Sequence, residues 1–237
     1  MRTKFSTPRR RGRIVIITDM ADASATYSGW EERSTARVLH SARRRAVERS
    51  RRIVAAAREI VAESGLDGLT VQKVRERTGL SLRAFYQRFG GKDDLLVAVF
   101  EETLREAATT LGVKIAAIAD PVERLRMLVT GIFTGGISDD VLKQSVPLSH
   151  EHLRLAESRP AELRFALEPL TVLLSEHLAM GIESGVIRRS DPRRLAVLVL
   201  HLVFAQIHAV VLGTVEEQDV EHSGVELWEF CWRAVAR

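Results

Sequence analysis

The sequence predicts an all-α protein in which an N-terminal three-helix helix-turn-helix domain is followed by a larger helical domain. Three observations carry that prediction. Apolar residues recur at about 3.6-residue spacing in one segment after another, and no convincing strand alternation or repeat appears. The segments are separated by helix punctuation, with Asp-Pro or Pro at several starts and Gly at several ends. The stretch TGLSLRAFYQRFGGKDD, residues 78–94, sets a Gly-containing turn between two short helical segments that lie behind a longer one.

Residues 1–42 hold no sustained period and scatter Ser, Thr, Gly and Arg, so a mostly disordered basic extension is expected. It is either a functional segment or a solvated tail, including one created by a start codon placed upstream. A helical pattern begins at Arg45, where Ile53, Ala57, Ile60, Val61 and Ser64 share a face and Gly65 stops the helix. Thr70 is the expected N-cap of a helix from Val71 to about Arg77; Lys73 at its third position leaves no capping box. Gly79 breaks that helix, Ser81 caps the next over Leu82 to Phe89, and Gly90-Gly91 ends it. A fourth helix starts near Lys92 and carries Leu95, Leu96, Val99, Phe100, Thr103 and Leu104 towards Leu111. Later helices open at Asp120-Pro121, Pro160 and Asp191-Pro192 and end near Gly135-Gly136, Gly185 and Gly213, and a last segment, Val225 to Val235, follows Gly224.

The 237 residues, 46% of them hydrophobic, suffice for one or two soluble domains. A single cysteine, Cys231, excludes an internal disulfide framework and points to a reducing cytoplasm. The apolar run after Arg9, Arg10, Arg11 and Arg13 is only Ile14 to Ile17, which does not read as a secretory signal. Leu195 to Leu212 is long enough for a membrane span, but it contains His201, Gln206 and His208 and reads better as a buried helix. The net charge of +4 hides an asymmetry: residues 1–100 hold 21 Lys+Arg against 11 Asp+Glu, and the remainder 14 against 20. A basic front half suggests a polyanion partner.

On the helix expected from Leu82, at about 100° per residue, Phe85 and Phe89 form one stripe and Gln87 points directly away from it. Arg83 and Ala84 flank Gln87, and Tyr86 and Arg88 sit on the borders. Arg can pair with guanine O6 and N7, Gln with adenine N6 and N7, and Ala can touch a thymine methyl, so this face suits a major groove. An ordinary amphipathic surface helix would also expose Arg and Gln, but not together with the short length, the Gly turn and the basic half-chain.

LTVQKVRERTGLSLRAFYQRFGGKDDLL, residues 69–96, closely resembles the DNA-binding signature of the tetracycline-repressor (TetR) family of bacterial regulators. The resemblance covers about residues 47–107, with the helix-turn-helix motif at 70–89. It implies that Thr70, Tyr86 and Lys92 hold DNA phosphates and that Gln72, Leu82, Arg83 and Ala84 face base edges. Ser81, Gln87 and Arg88 complete the expected DNA-facing set; Gln87 stands where the family often has an aromatic or basic residue. The resemblance further implies that residues 108–237 form a helical ligand-binding and dimerisation domain. Met127, Phe133, Phe165, His177 and Met180 are its candidate ligand contacts, the four apolar ones reading more readily as simple core.

Other constellations point elsewhere less well. His150-Glu151-His152 places its histidines at i and i+2, which diverge on a helix, so no metal site is expected. His201 and His208 share a helical face and suit hydrogen-bonded packing at a dimer interface, with a ligand or pH-sensing role as the other reading. Arg43, Arg44, Arg45, Arg49, Arg51 and Arg52 are either a basic arm reaching DNA or a solvated charge run. No nucleophile lies beside a base, and no phosphate-binding Gly loop or carboxylate pair is present, so neither catalysis nor a cofactor is expected.

These readings converge on a cytoplasmic, non-enzymatic transcription regulator. The expected form is a homodimeric repressor that binds a near-palindromic duplex operator and is released by an apolar or amphipathic small molecule. The competing class is an all-α adaptor that binds acidic protein partners through its basic half.

Overall fold

A computed structural model of the chain describes residues 28–135, 154–211, 214 and 220–237. The chain divides into two compact units, residues 1–46 and 47–237. The candidate metal pair at His150 and His152 and the first 27 residues lie outside the described residues. The helices are α1 (Gly29–Gly68), α2 (Val71–Thr78), α3 (Leu82–Tyr86), α4 (Lys92–Ala116), α5 (Pro121–Phe133), α6 (Pro160–Glu183), α7 (Pro192–Val211) and α8 (Val220–Val235). Residues 154–158 add a short helical stretch ahead of α6.

Three boundaries differ from expectation, each for a local reason. Helix α1 starts at Gly29, inside the stretch expected to be disordered to residue 42. From Trp30 to Ser64 the chain has no Gly or Pro to stop a helix. The missing apolar period there means no buried face, as Trp30 (65% exposed), Val38 (61%) and Leu39 (63%) show. Gly65 interrupts α1 as expected, with φ 67 after Ser64 at φ −138. Helix α3 closes at Tyr86, not at Gly90. Its final turn tightens to an i−3 bond, Arg88 N–H donating to Phe85 O at 2.9 Å, and this swings Phe89 inward to 5.8 Å from the Phe85 ring. Helix α8 begins five residues before the expected start and runs through Gly224. That glycine is a contact point: a Cβ there would meet Phe133 Cδ1 at 3.0 Å, so α8 lies close on α5.

Caps fix the other starts as the sequence suggests. The Asp120 carboxylate accepts from Val122 N–H at 3.0 Å, and the Asp191 carboxylate from Arg193 N–H at 2.9 Å and Arg194 N–H at 3.1 Å. In residues 47–237, α4 packs most extensively on α6 and α6 on α7, with α5 against α6, α7 and α8. Leu111, Ile115, Leu125, Leu128, Leu170, Leu174 and Val203 are among the fully buried centre of this bundle. Helix α6 and residues 192–210 are long and apolar enough to cross a membrane, yet each buries one stripe in this core, through Leu163, Leu170 and Leu174 and through Ala196, Val199 and Val203. The C-terminal strand-like turn closes the bundle, with Arg188 N–H donating to Val235 O at 3.1 Å and Arg237 N–H to Val186 O at 3.2 Å.

Cys231 lies in this core at 3% exposure, and burial pushes its thiol from 9.0 to about 11. Because the folded value is the higher one, the stabilisation is complete below the unfolded value and is lost as pH rises through about 11. Folded protein at pH 8 should therefore resist a thiol reagent such as dithionitrobenzoate and react with one equivalent only after denaturation. Fast labelling of the native protein would contradict this placement.

Candidate nucleic-acid interface

Two capped helices and a left-handed glycine build the interface. Thr70 Oγ1 accepts from Lys73 N–H at 3.1 Å and starts α2. At the other end Gly79 takes φ 69, ψ 18, and its N–H donates to Arg75 O at 2.8 Å. Only this left-handed turn lets the chain reverse so tightly, and the extended Ser81 follows, its hydroxyl accepting from Ala84 N–H at 3.2 Å to start α3. Arg75 Nε spans the turn to Leu80 O at 3.4 Å.

Helix α3 is held from beneath. Phe85 is 1% exposed and joins Val74, Leu95 and Leu96 in the core. Tyr86 meets the Phe85 ring edge-on at 5.4 Å and leaves 53% of itself in solvent. Helix α2 is clamped to α1 by Arg77, which donates to both Glu63 oxygens at 2.8 and 2.6 Å. That side-chain hydrogen bond draws the Glu63 carboxyl below its usual range.

The outward face is therefore Leu82, Arg83, Tyr86 and Gln87, all exposed, with Ala84 half-buried between them. The Arg83 side chain has no hydrogen-bond or ion-pair partner among the described residues. Gln72 is exposed on α2 and spends its amide on Glu76 at 2.9 Å. Arg88 is half-buried and turned back on its own helix, donating to Ala84 O at 2.5 Å, so in this arrangement it does not join the outward set. Lys92 opens α4 and donates to Leu66 O at 3.1 Å.

Lys73 escaped the sequence reading, which noted it only for spoiling a capping box. It is exposed, and its ammonium lies 3.5 Å from the position a Cβ on Gly68 would take, in the same 66–68 turn that Lys92 reaches. Two ammonium groups thus lie by the 66–68 turn that precedes α2, whose N-terminal dipole and free N–H groups also favour an anion.

The expected ligand contacts do not converge. Met127 (38% exposed) and Met180 (39%) face outward, Phe133 is buried against α8, and His177 is half-buried with Nδ1 2.9 Å from Leu173 O. These positions follow from helical register, because a Met or Phe is marked apolar by sequence whichever side its helix turns. Phe165 alone of the five lines the cavity of about 400 Å³ between α4 and α6. His201 is exposed on α7 and His208 half-buried.

The profile of the family described as "Bacterial regulatory proteins, tetR family" matches residues 53–99. The Fatty acid metabolism regulator protein of Bacillus subtilis is 25% identical over 167 residues, 70% of this chain and 78% of that protein. The HTH-type transcriptional regulator BetI of Paraburkholderia phymatum is 40% identical over 84 residues, which span 34% of this chain and 42% of the relative. Among solved structures, a TetR-family transcriptional regulator from Pectobacterium atrosepticum superposes with a TM-score of 0.67 at 18% identity, over 82% of this chain and 97% of that one, a likeness of fold. The matched segment, 53–99, contains the whole capped helix-turn-helix described above, so the likeness to that family rests on the DNA-binding element itself, and the chain is a DNA-binding transcriptional regulator.

Proposed function

We propose that the protein is a cytoplasmic homodimeric repressor whose two copies of α3 enter successive major grooves of a near-palindromic operator, without catalysis. The observation that carries this reading is the exposed set Leu82, Arg83, Tyr86 and Gln87 on a helix fixed from below by Phe85. In this reading Thr70, Tyr86 and Lys92 hold phosphates, joined by Lys73. Gln72, Leu82, Arg83 and Ala84 read base edges, with Gln87 beside them. Residues 47–107 act as the DNA-binding domain and 108–237 as the effector and dimerisation domain.

Dimerisation is supported by one stripe of α7: Leu198 (59% exposed), His201, Leu202 (39%) and Ala205 recur at helical spacing and all face solvent. Phe230 (62%) and Val225 (42%) add exposed apolar surface on α8. Apolar surface of this extent is the usual mark of an interface.

Communication between effector and DNA is supported by ion pairs at the start of α4. Arg154, just before α6, donates to both Asp93 oxygens at 3.0 and 2.7 Å, and Arg159 pairs with Asp94. Asp94 in turn accepts from Gly90 N–H at 2.5 Å, immediately after the segment that carries α3. A displacement of α6 by a small ligand is thereby passed to α4 and to the separation of the two α3 helices, which must stay about 34–36 Å apart to fit successive grooves.

Three outcomes test the reading. Selection from a random duplex pool should enrich a palindrome; Arg83→Ala should cost about 1 to 3 kcal/mol at one base position, whereas Lys92→Ala should weaken all duplexes alike and flatten the salt dependence by about one ion. An unchanged selected sequence with Arg83→Ala removes that side chain from base reading. Ala205→Arg should give a monomer by sedimentation with its helicity intact and with operator affinity lost; an unchanged dimer mass excludes α7 as the interface. A ligand found by thermal shift should lower operator affinity roughly 5- to 150-fold, and saturating operator should lower ligand affinity by the same factor. Equal ligand affinity with and without operator would eliminate the coupling.

A further inference from the structure

The cavity between α4 and α6 is apolar on one wall and electron-rich on the other. Ala166, Pro169 and Val172 of α6 form the apolar wall, with the Phe165 ring 71% exposed at its edge. From α4 come Glu101, Glu102 and Arg105, and Glu168 completes three carboxylates against one guanidinium. Two of the three are already matched. Arg105 donates to both Glu102 oxygens, at 3.1 and 2.5 Å, and Arg193 to both Glu168 oxygens, at 3.0 and 2.8 Å. Glu101 has no hydrogen-bond or ion-pair partner among the described residues. Partial burial first, and the neighbouring Glu162 carboxylate second, hold its carboxyl above the usual range, the condition of an acid short of a counter-ion. Pro169, which lines the cavity, has no N–H, so the Phe165 carbonyl lacks the bond an α-helix would give it from residue 169.

We propose that this groove binds an organic cation with an apolar body, Glu101 supplying the counter-charge, the Phe165 ring the electron-rich edge, and Ala166, Pro169 and Val172 the apolar bed. The cation offsets the unmatched carboxylate, and an aromatic face attracts it further. The volume of about 400 Å³ accommodates a small drug-sized molecule. This deepens the reading of residues 108–237 and α4 as the effector region, and rests on it. Since α4 also carries Asp93 and Asp94, a ligand here acts directly on the helix that leads to the DNA-reading segment.

Titration calorimetry on the full chain without DNA, using benzyltrimethylammonium, benzyl alcohol and phenylacetate, tests the site. Wild-type protein should bind the cation at least about fivefold more tightly than the alcohol, with the anion weakest. Glu101→Gln should erase that preference, Phe165→Leu should lower affinity for the cation more than for the alcohol, and Glu176→Gln, which removes an exposed charge elsewhere on α6, should change neither. Absence of a preference in the wild type, or its survival in Glu101→Gln, overturns the proposal. Should Glu101→Gln fail to fold, the ratio measured with Phe165→Leu decides. A second arm separates the two readings. If the cation binds with this specificity but leaves operator affinity unchanged, the site stands and the regulatory reading falls. If a different ligand releases the operator while the cation does not bind, the site alone falls.

Discussion

Burial of Phe85 beneath α3 is the constraint on which the rest of the proposed DNA-reading surface depends. A five-residue helix gains too little from its own hydrogen bonds to persist in water, so its conformation must be imposed from outside. Phe85 at 1% exposure and Phe89 at 8% impose it, by packing into the same core as Val74, Leu95 and Leu96. Once those two rings are fixed, the opposite side chains have only their rotamers left to choose, and Arg83, Tyr86 and Gln87 are presented together. The caps at Thr70 and Ser81 and the left-handed Gly79 set the approach of α2 to α3, while the Arg77–Glu63 pair holds α2 to α1.

Helix α4 then ties that surface to everything beyond it. Its first residues touch the helix-turn-helix region, Lys92 at Leu66 and Asp94 at Gly90, its middle lines the cavity through Glu101 and Arg105, and its end enters the deep core at Leu111 and Ile115. An α-helix transmits displacement along its axis with little compression, because every residue is bonded to the next turn. The exposed Asp93–Arg154 pair is individually weak in water, but together with Arg159–Asp94 it fixes a register between α4 and the approach to α6. Such surface pairs can be exchanged at low cost, which suits the movement that the proposed effector coupling requires.

The local elements were legible in the sequence because they are decided by neighbours in the chain. Caps at Thr70, Ser81, Asp120 and Asp191, the interruption at Gly65 and the reversal at Gly79 depend on φ, ψ and a side chain two or three residues away. The buried Phe85 and the outward Arg83 and Gln87 follow from helical angle, whereas Leu82 joined the outward set only through the family resemblance. Tertiary structure decided what depends on partners distant in sequence: that Gly224 is a contact with Phe133 and no stop, that Arg88 turns back on Ala84, and that Lys73 joins Lys92 beside the 66–68 turn. It also dispersed Met127, Phe133, His177 and Met180 and left Phe165 at a groove with Glu101. Hydrophobicity marks a side chain as wanting cover but carries no direction, and a carboxylate shows no lack of a counter-ion until the fold has assigned its neighbours to others.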